Sequence, residues 1–284
     1  MSVCRYLFVW VSLAFGTLLL SSDRGMAQEP VIPNFWDEHE RFQKPDLRSL
    51  VRLKFLTTTD FPPFNFIDRK KRLAGFHIDL ARAICSELGV LPRCQIQALP
   101  WDELLPAIKT GDGEAIIAGL AISDAMRKQL TFSRRYMQVP GRFVVKRDSG
   151  LEPPAYEAIF KKITGVVEGS AHQAYFDEVL STRKSKAYET REAALAGLQA
   201  DEVSAVFTDA LSASFWLQSE ASGECCMFLD GAFMSPKHFG HGMTVAVARE
   251  RTELAEAINF ALYRINAKGK FAELYLRYFP LGLF

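Results

Sequence analysis

From residue 53 onward, short apolar runs alternate with amphipathic stretches, and this alternation restricts the fold more than any other feature of the chain. "LKFLTT" (53–58), "CQIQAL" (94–99), "EAIIAGL" (114–120) and "GRFVVKR" (141–147) read as strands. Between them, "GFHIDLARAICSELG" (75–89) sets Phe76, Leu80, Ile84 and Leu88 on one helical stripe and stops at Gly89. "WDELLPAIKTG" (101–111) reads as a helix that tolerates Pro106 early and ends at Gly111. "SDAMRKQL" (123–130) reads as a helix capped by Ser123. "DFPPFNFI" reads as a loop, because Pro62 and Pro63 exclude helix there.

A second, smaller series follows. "ITGVVEG" (163–169), "VSAVFT" (203–208) and "GMTVAVARE" (242–250) read as strands. "SAHQAYFDEVL" (170–180) is a helix capped by Ser170, and "TREAALAGLQA" (190–200) and "ALSASFWLQ" (210–218) are further helices. A long helix over 251–269 is expected to be capped by Thr252, and "KFAELYLRYF" closes the chain. Strands alternating with helices in both halves predict an α/β fold of two parallel-sheet lobes. The 284 residues suit two lobes of about 100–150 residues each.

The N-terminus reads as an address. Arg5 precedes an apolar run from Tyr6 to Leu20, and Gly25 and Ala27 stand where a signal peptidase requires small residues. Residues 1–27 are therefore expected to be a cleaved secretory signal; the run is shorter than the roughly 20 residues a membrane span needs. Residues 28–52 are charged and broken by prolines, and read as an arm laid over the fold with Phe35 and Trp36 as anchors. Net charge is +1, which gives no electrostatic footprint for nucleic acid or an anionic membrane.

Export puts the remaining cysteines in an oxidising compartment. Cys85 lies late in a helix and Cys94 just past a short return, so these two are expected to pair, adding about 2–3 kcal/mol by closing a small loop. Cys225 and Cys226 are adjacent and could form a vicinal bridge or stay reduced. The histidines show no metal-ligand spacing, and neither a metal nor a cofactor is expected. His77, His172, His238 and His241 read as surface or capping residues.

Open α/β sheets bind ligands beyond the carboxyl ends of their strands. In the first half those ends carry Phe61, Trp101, Gly119, Leu120, Ala121 and Ser123; in the second, Gly169, Ser170, Ala171 and Asp209. Helix N-termini would hold a carboxylate, Asp209 a cation, and the two aromatic rings an apolar portion, which together suit a small zwitterion. Ser123, Ser170 and Asp209 are also natural helix caps, whatever else they do.

The pieces "TTTDFPPFNF", "GFHIDLARAICSELGV", "WDELLPAIKTGDGEAIIAGLAIS", "LTFSRRY", "GVVEGSAHQAYF", "VSAVFTDA" and "INAKGKFAELYLRYF" occur in an order that resembles the family 3 periplasmic solute-binding proteins, receptors of polar amino-acid ABC importers. The resemblance covers residues 53–284. It implies a two-lobed type II periplasmic binding fold with two crossover strands and a ligand cleft between the lobes. Lobe I would be residues 53–140 plus 238–284, and lobe II residues 141–237. It implies a monomer in the periplasm that binds an amino-acid-like solute and docks on a membrane permease. By the same resemblance Phe61 and Trp101 become opposing walls. Gly119, Ala121 and Ser123 meet the ligand carboxylate, Ser170 and Ala171 contribute from lobe II, and Asp209 takes the ammonium. Cys85 and Cys94 likewise resemble a disulfide of basic amino-acid receptors.

Three positions depart from the family pattern. The carboxylate-gripping arginine falls at Met126, and Arg127 comes one residue later, turned by about 100° on a helix; its long side chain keeps it a candidate for the ligand carboxylate, with a surface role as the alternative. Ala121 and Ala171 replace hydroxyl residues, and Thr58 stands where receptors for basic amino acids place an acid. A different function class is an enzyme, since some members of the superfamily resemble periplasmic dehydratases; Glu168 and His172 are the candidate acids. A receptor that feeds a sensor protein is a third reading.

Overall fold

The computed structural model describes residues 31–284 except 38, 44, 48, 49, 121 and 280. The expected signal segment and Ala121 therefore lie outside the described residues. The chain starts with β1 (Leu53–Thr57), followed by three short strands, β2 (Asp60–Phe61), β3 (Asn65–Ile67) and β4 (Leu73–Ala74). These three form a small antiparallel sheet, and β2 and β3 fall in the stretch 60–67 expected to be a loop; the prolines exclude helix but leave extended backbone open. Next come α1 (Phe76–Glu87), β5 (Cys94–Ala98), α2 (Trp101–Thr110), β6 (Ala115–Ile116), α3 (Asp124–Arg127) and β7 (Leu130–Phe132).

The middle of the chain supplies β8 (Gly141–Lys146), α4 (Ala155–Ala158), β9 (Ile163–Val167), α5 (Ala171–Val179) and β10 (Lys184–Tyr188). It continues through α6 (Arg191–Gln199), β11 (Ala205–Asp209), α7 (Ala210–Leu217), β12 (Cys226–Phe228) and α8 (Pro236–Phe239). The chain ends with β13 (Ala246–Ala248), α9 (Thr252–Ala267) and α10 (Lys270–Tyr278). Thr252 is the first residue of α9, not its cap; Arg251 holds the cap position, without a side-chain bond.

Two five-stranded sheets result, in the orders β5-β1-β6-β13-β7 and β10-β9-β11-β8-β12. The expected purely parallel sheets are in fact mixed. β5, β1 and β6 run parallel, as do β10, β9 and β11, while β13 is antiparallel to β6 and β8 to β11. The cause is topological: β8 and β13 are the strands by which the chain enters each sheet after crossing from the other, and they arrive from the opposite direction.

Side chains alternate across each sheet as strand geometry demands. Leu53 and Phe55 point into one core with Phe76, Leu80 and Ile84 of α1 and Ile258 and Leu262 of α9, while Leu56 points into another with Leu104 and Ile108 of α2. In the second sheet Phe143 and Val145 meet Phe176 of α5, and Val144 meets Leu195 and Leu198 of α6. Two segments, 133–140 and 229–245, link the sheets and are bonded to each other: Tyr136 N donates to Met243 O at 3.0 Å and Met243 N to Met137 O at 2.7 Å.

The arm is anchored by aromatics. Trp36 is 8% exposed and lies edge-on to Phe42 and Tyr263, and Phe35 lies edge-on to Phe284. Arg134 pairs with Glu40 and Arg135 stands over the Phe35 ring, so the arm grips the start of the first linking segment. Cys85 and Cys94 are bridged, with Cα atoms 6.0 Å apart, and Cys225 is bridged to Cys226.

Candidate functional site

The carboxyl ends of β1, β5 and β6 share one edge because the three strands are parallel. Phe61, just past β1, is half-buried and stacks on Phe64 at 4.7 Å. Its ring is pressed against the backbone of Gly119: a Cβ built there would stand 2.8 Å from Phe61 Cε1, and the φ of +75° also favours glycine. Trp101 heads α2, is 51% exposed, and borders a recess of about 270 Å³ with Thr58, Thr59, Asp60 and Leu99.

A buried polar chain runs from Thr58, beside this recess, to Tyr136. Asn65 Nδ2 donates to Thr58 Oγ1 at 2.7 Å, and Asn65 Oδ1 accepts from His77 Nδ1 at 2.7 Å. His77 Nε2 accepts from the Tyr136 hydroxyl at 2.8 Å. His77 is therefore a core residue rather than the expected surface one, and its burial pushes its pKa down to about 3. Tyr136, equally buried, is pushed well above its ordinary value.

Ser123 caps the single-turn α3, its Oγ accepting from Met126 N at 3.3 Å. Met126 turns toward the core with Leu104 and Leu130, whereas Arg127 is exposed. Among the described residues the Arg127 guanidinium has no partner, and its carbonyl accepts from Arg249 Nη1 at 3.1 Å. The structure thus brings Phe61 and Gly119 into contact and leaves Arg127 unengaged.

On the second sheet β9, β10 and β11 are parallel, so their carboxyl ends also share an edge. Ser170 caps α5: its Oγ accepts from Gln173 N at 3.1 Å and donates to Val167 O at 2.7 Å. Gln173 Oε1 in turn accepts the Gly169 amide at 2.7 Å, so that amide is already used. Ala171 is exposed at the first turn.

Asp209 caps α7, with Oδ1 accepting from Ser212 N at 2.7 Å, and its Oδ2 accepts from Arg191 Nη2 at 3.1 Å. Beside it, Ala210 N donates to Pro140 O at 2.9 Å, which puts Asp209 where the first linking segment enters the second sheet. The His172 ring stacks on Phe239 at 4.7 Å; burial lowers its pKa, the Asp209 charge opposes that shift and Arg191 adds to it. Glu168 is exposed. Sequence reasoning missed Arg191, and the only signal was its place directly after the cap Thr190.

An L-arginine-binding protein of Pseudomonas aeruginosa is 28% identical over 79% of this chain and 86% of its own length. The lysine/arginine/ornithine-binding periplasmic protein of Escherichia coli is 28% identical over 80% of this chain and 87% of its own. Among solved structures, the second substrate-binding domain of a putative amino acid ABC transporter from Streptococcus pneumoniae superposes with a TM-score of 0.67 at 22% identity, covering 80% of this chain and all of that one. An ancestral cyclohexadienyl dehydratase superposes at 0.68 with 19% identity, over 83% of this chain and 95% of that one. At those identities the structures speak for the fold alone, the two-lobed type II periplasmic binding fold. Residues 53–281 match the model of the bacterial extracellular solute-binding proteins, family 3, and the chain belongs to that family.

Proposed function

We propose that the chain is the periplasmic substrate-binding component of an ABC importer, and that it takes an amino acid or related small polar solute by closing two lobes over it. Lobe I is residues 53–140 plus 238–284 and lobe II residues 141–237; the expected signal at 1–27 delivers it, and a membrane permease receives the closed form. The observation that carries this reading is that each sheet presents the carboxyl ends of three parallel strands. Those of the first carry an aromatic wall on bare glycine backbone, and those of the second carry Asp209 beside the linking segment. Phe61, Trp101, Gly119, Ala121 and Ser123 contribute from lobe I, with Arg127 supplying an uncommitted cation; Ser170, Ala171 and Asp209 contribute from lobe II. The names of the sequence relatives support an amino-acid ligand.

The chain is read as a binder rather than an enzyme. Ligand favours the closed state by differential affinity, and no bond need be made or broken. The dehydratase fold match keeps catalysis testable, yet Glu168 is exposed and His172 is packed flat on Phe239 with its basicity reduced. Mass spectrometry of co-purified small molecules, followed by incubation, separates the two: the receptor returns its ligand intact and stoichiometric, and steady conversion to a product overturns this reading. In a thermal-shift screen, ligand at about 100 times its dissociation constant should add roughly 2.7 kcal/mol. Asp209→Ala should abolish that shift, and an undiminished shift would remove Asp209 from the site.

A further inference from the structure

The acid of the second half is not free. Both oxygens of Asp209 carry a donor from the chain itself, the Ser212 amide on Oδ1 and Arg191 Nη2 on Oδ2. The arginine comes from across the sheet: it opens α6 at the end of β10, and β9 lies between β10 and β11. Strands sit about 4.8 Å apart, so β10 and β11 lie about 10 Å apart with β9 between them, and the pair bridges that gap. One of its five N–H donors serves Asp209; Nε is shielded from water and has no acceptor, and the side chain is 34% exposed.

A planar fork with donors to spare matches a carboxylate. The helices α5, α6 and α7, of nine, nine and eight residues, all begin on this same edge, and their amino ends favour an anion. The other charged groups here include Glu168, Glu189 and Glu192, all exposed, so an anion would be held by directed donors and not by net field. In the first half, Thr58 Oγ1 is taken by Asn65, and the recess beside Trp101 has Asp60 as its only acid among the described lining residues. Arg127, in the same half, is exposed, and its guanidinium has no partner among the described residues. Two guanidinium groups, one in each half, with the acid of the second half already neutralised, suit a ligand with two acid groups better than one with a second cation.

We infer that Arg191 is a specificity-determining residue and that the solute is a small dicarboxylate, either an acidic amino acid or a dicarboxylic acid without the amine. One carboxylate lies on the Arg127 side and the other on Arg191. This rests on the receptor reading above.

The test is calorimetric titration of the full chain with L-glutamate, L-aspartate, succinate, L-glutamine and L-arginine, repeated on Arg191→Gln and Arg191→Lys. A dicarboxylate should bind tightest, and comparing succinate with L-glutamate tells whether the amine is needed. Arg191→Gln should weaken the dicarboxylates at least tenfold and leave L-glutamine within threefold, with Arg191→Lys in between. Melting curves of the unliganded variants establish that both are folded. Tighter binding of L-arginine or L-glutamine than of every dicarboxylate overturns the inference and leaves the receptor reading standing. So does an equal loss for L-glutamate and L-glutamine in Arg191→Gln. Failure of every member of a full amino-acid and organic-acid panel to bind would remove both.

Discussion

At the scale of single residues, His77 has the sharpest measurable signature. Its two ring nitrogens are used by Asn65 and Tyr136, and no water reaches it. In the unfolded chain it titrates near 6.5, whereas in the folded one it stays neutral down to about 3. Above pH 6.5 both states are neutral and this residue adds no pH dependence to stability. As pH falls from 6.5 toward 3, only the unfolded chain takes up the proton, so stability falls by roughly 1.4 kcal/mol per pH unit. Denaturation midpoints at pH 7, 5.5 and 4.5 should therefore drop faster in the wild type than in His77→Gln. Parallel curves for the two proteins would mean that His77 is not held neutral.

The residues of the candidate site were legible in the sequence to unequal degrees. Caps such as Ser123, Ser170 and Asp209 announce themselves by local chemistry, since a short polar side chain before a helix satisfies free amides. The ion pair between Arg191 and Asp209 does not, because it depends on which strand lies between two others. His77 was misread for a related reason: its partners Asn65 and Tyr136 are 12 and 59 residues away, and nothing local to "GFHIDL" reports them.

Among elements, the strongly apolar strands and the amphipathic helices were readable, and the polar strands were not. The strand β10, "KSKAY", has no buried residue and no alternation of apolar side chains, so only its pairing with β9 defines it. The antiparallel members of the sheets were likewise beyond reach, because strand direction is set by where the chain comes from. The α1–β5 unit was read correctly together with its disulfide, whose partners are nine residues apart. Replacing Cys85 and Cys94 together by alanine should cost about 2–3 kcal/mol in chemical denaturation. A loss below about 0.5 kcal/mol would show that the bridge adds little beyond the packing of α1.

For the whole molecule, the receptor reading predicts a change of shape that scattering can follow. On saturation with its ligand the radius of gyration should fall by about 1 Å or more, since closing a cleft draws two bodies together. An unchanged radius in the presence of a bound ligand would rule out closure as the working motion. The arm belongs to this scale as well. It lies before the segment matched to the family, yet it contributes Trp36 to the core of the first half and holds Arg134 through Glu40.

Since Tyr136 and Met137 are laced to Met243, the two strands of chain between the halves cannot bend separately. They act as a single torsion bar. Such a bar permits twisting about its own length and resists sideways shear, so the opening and shutting of the molecule is confined to nearly one rotational coordinate. A substitution that cut one rung would loosen the direction of travel before it altered either endpoint.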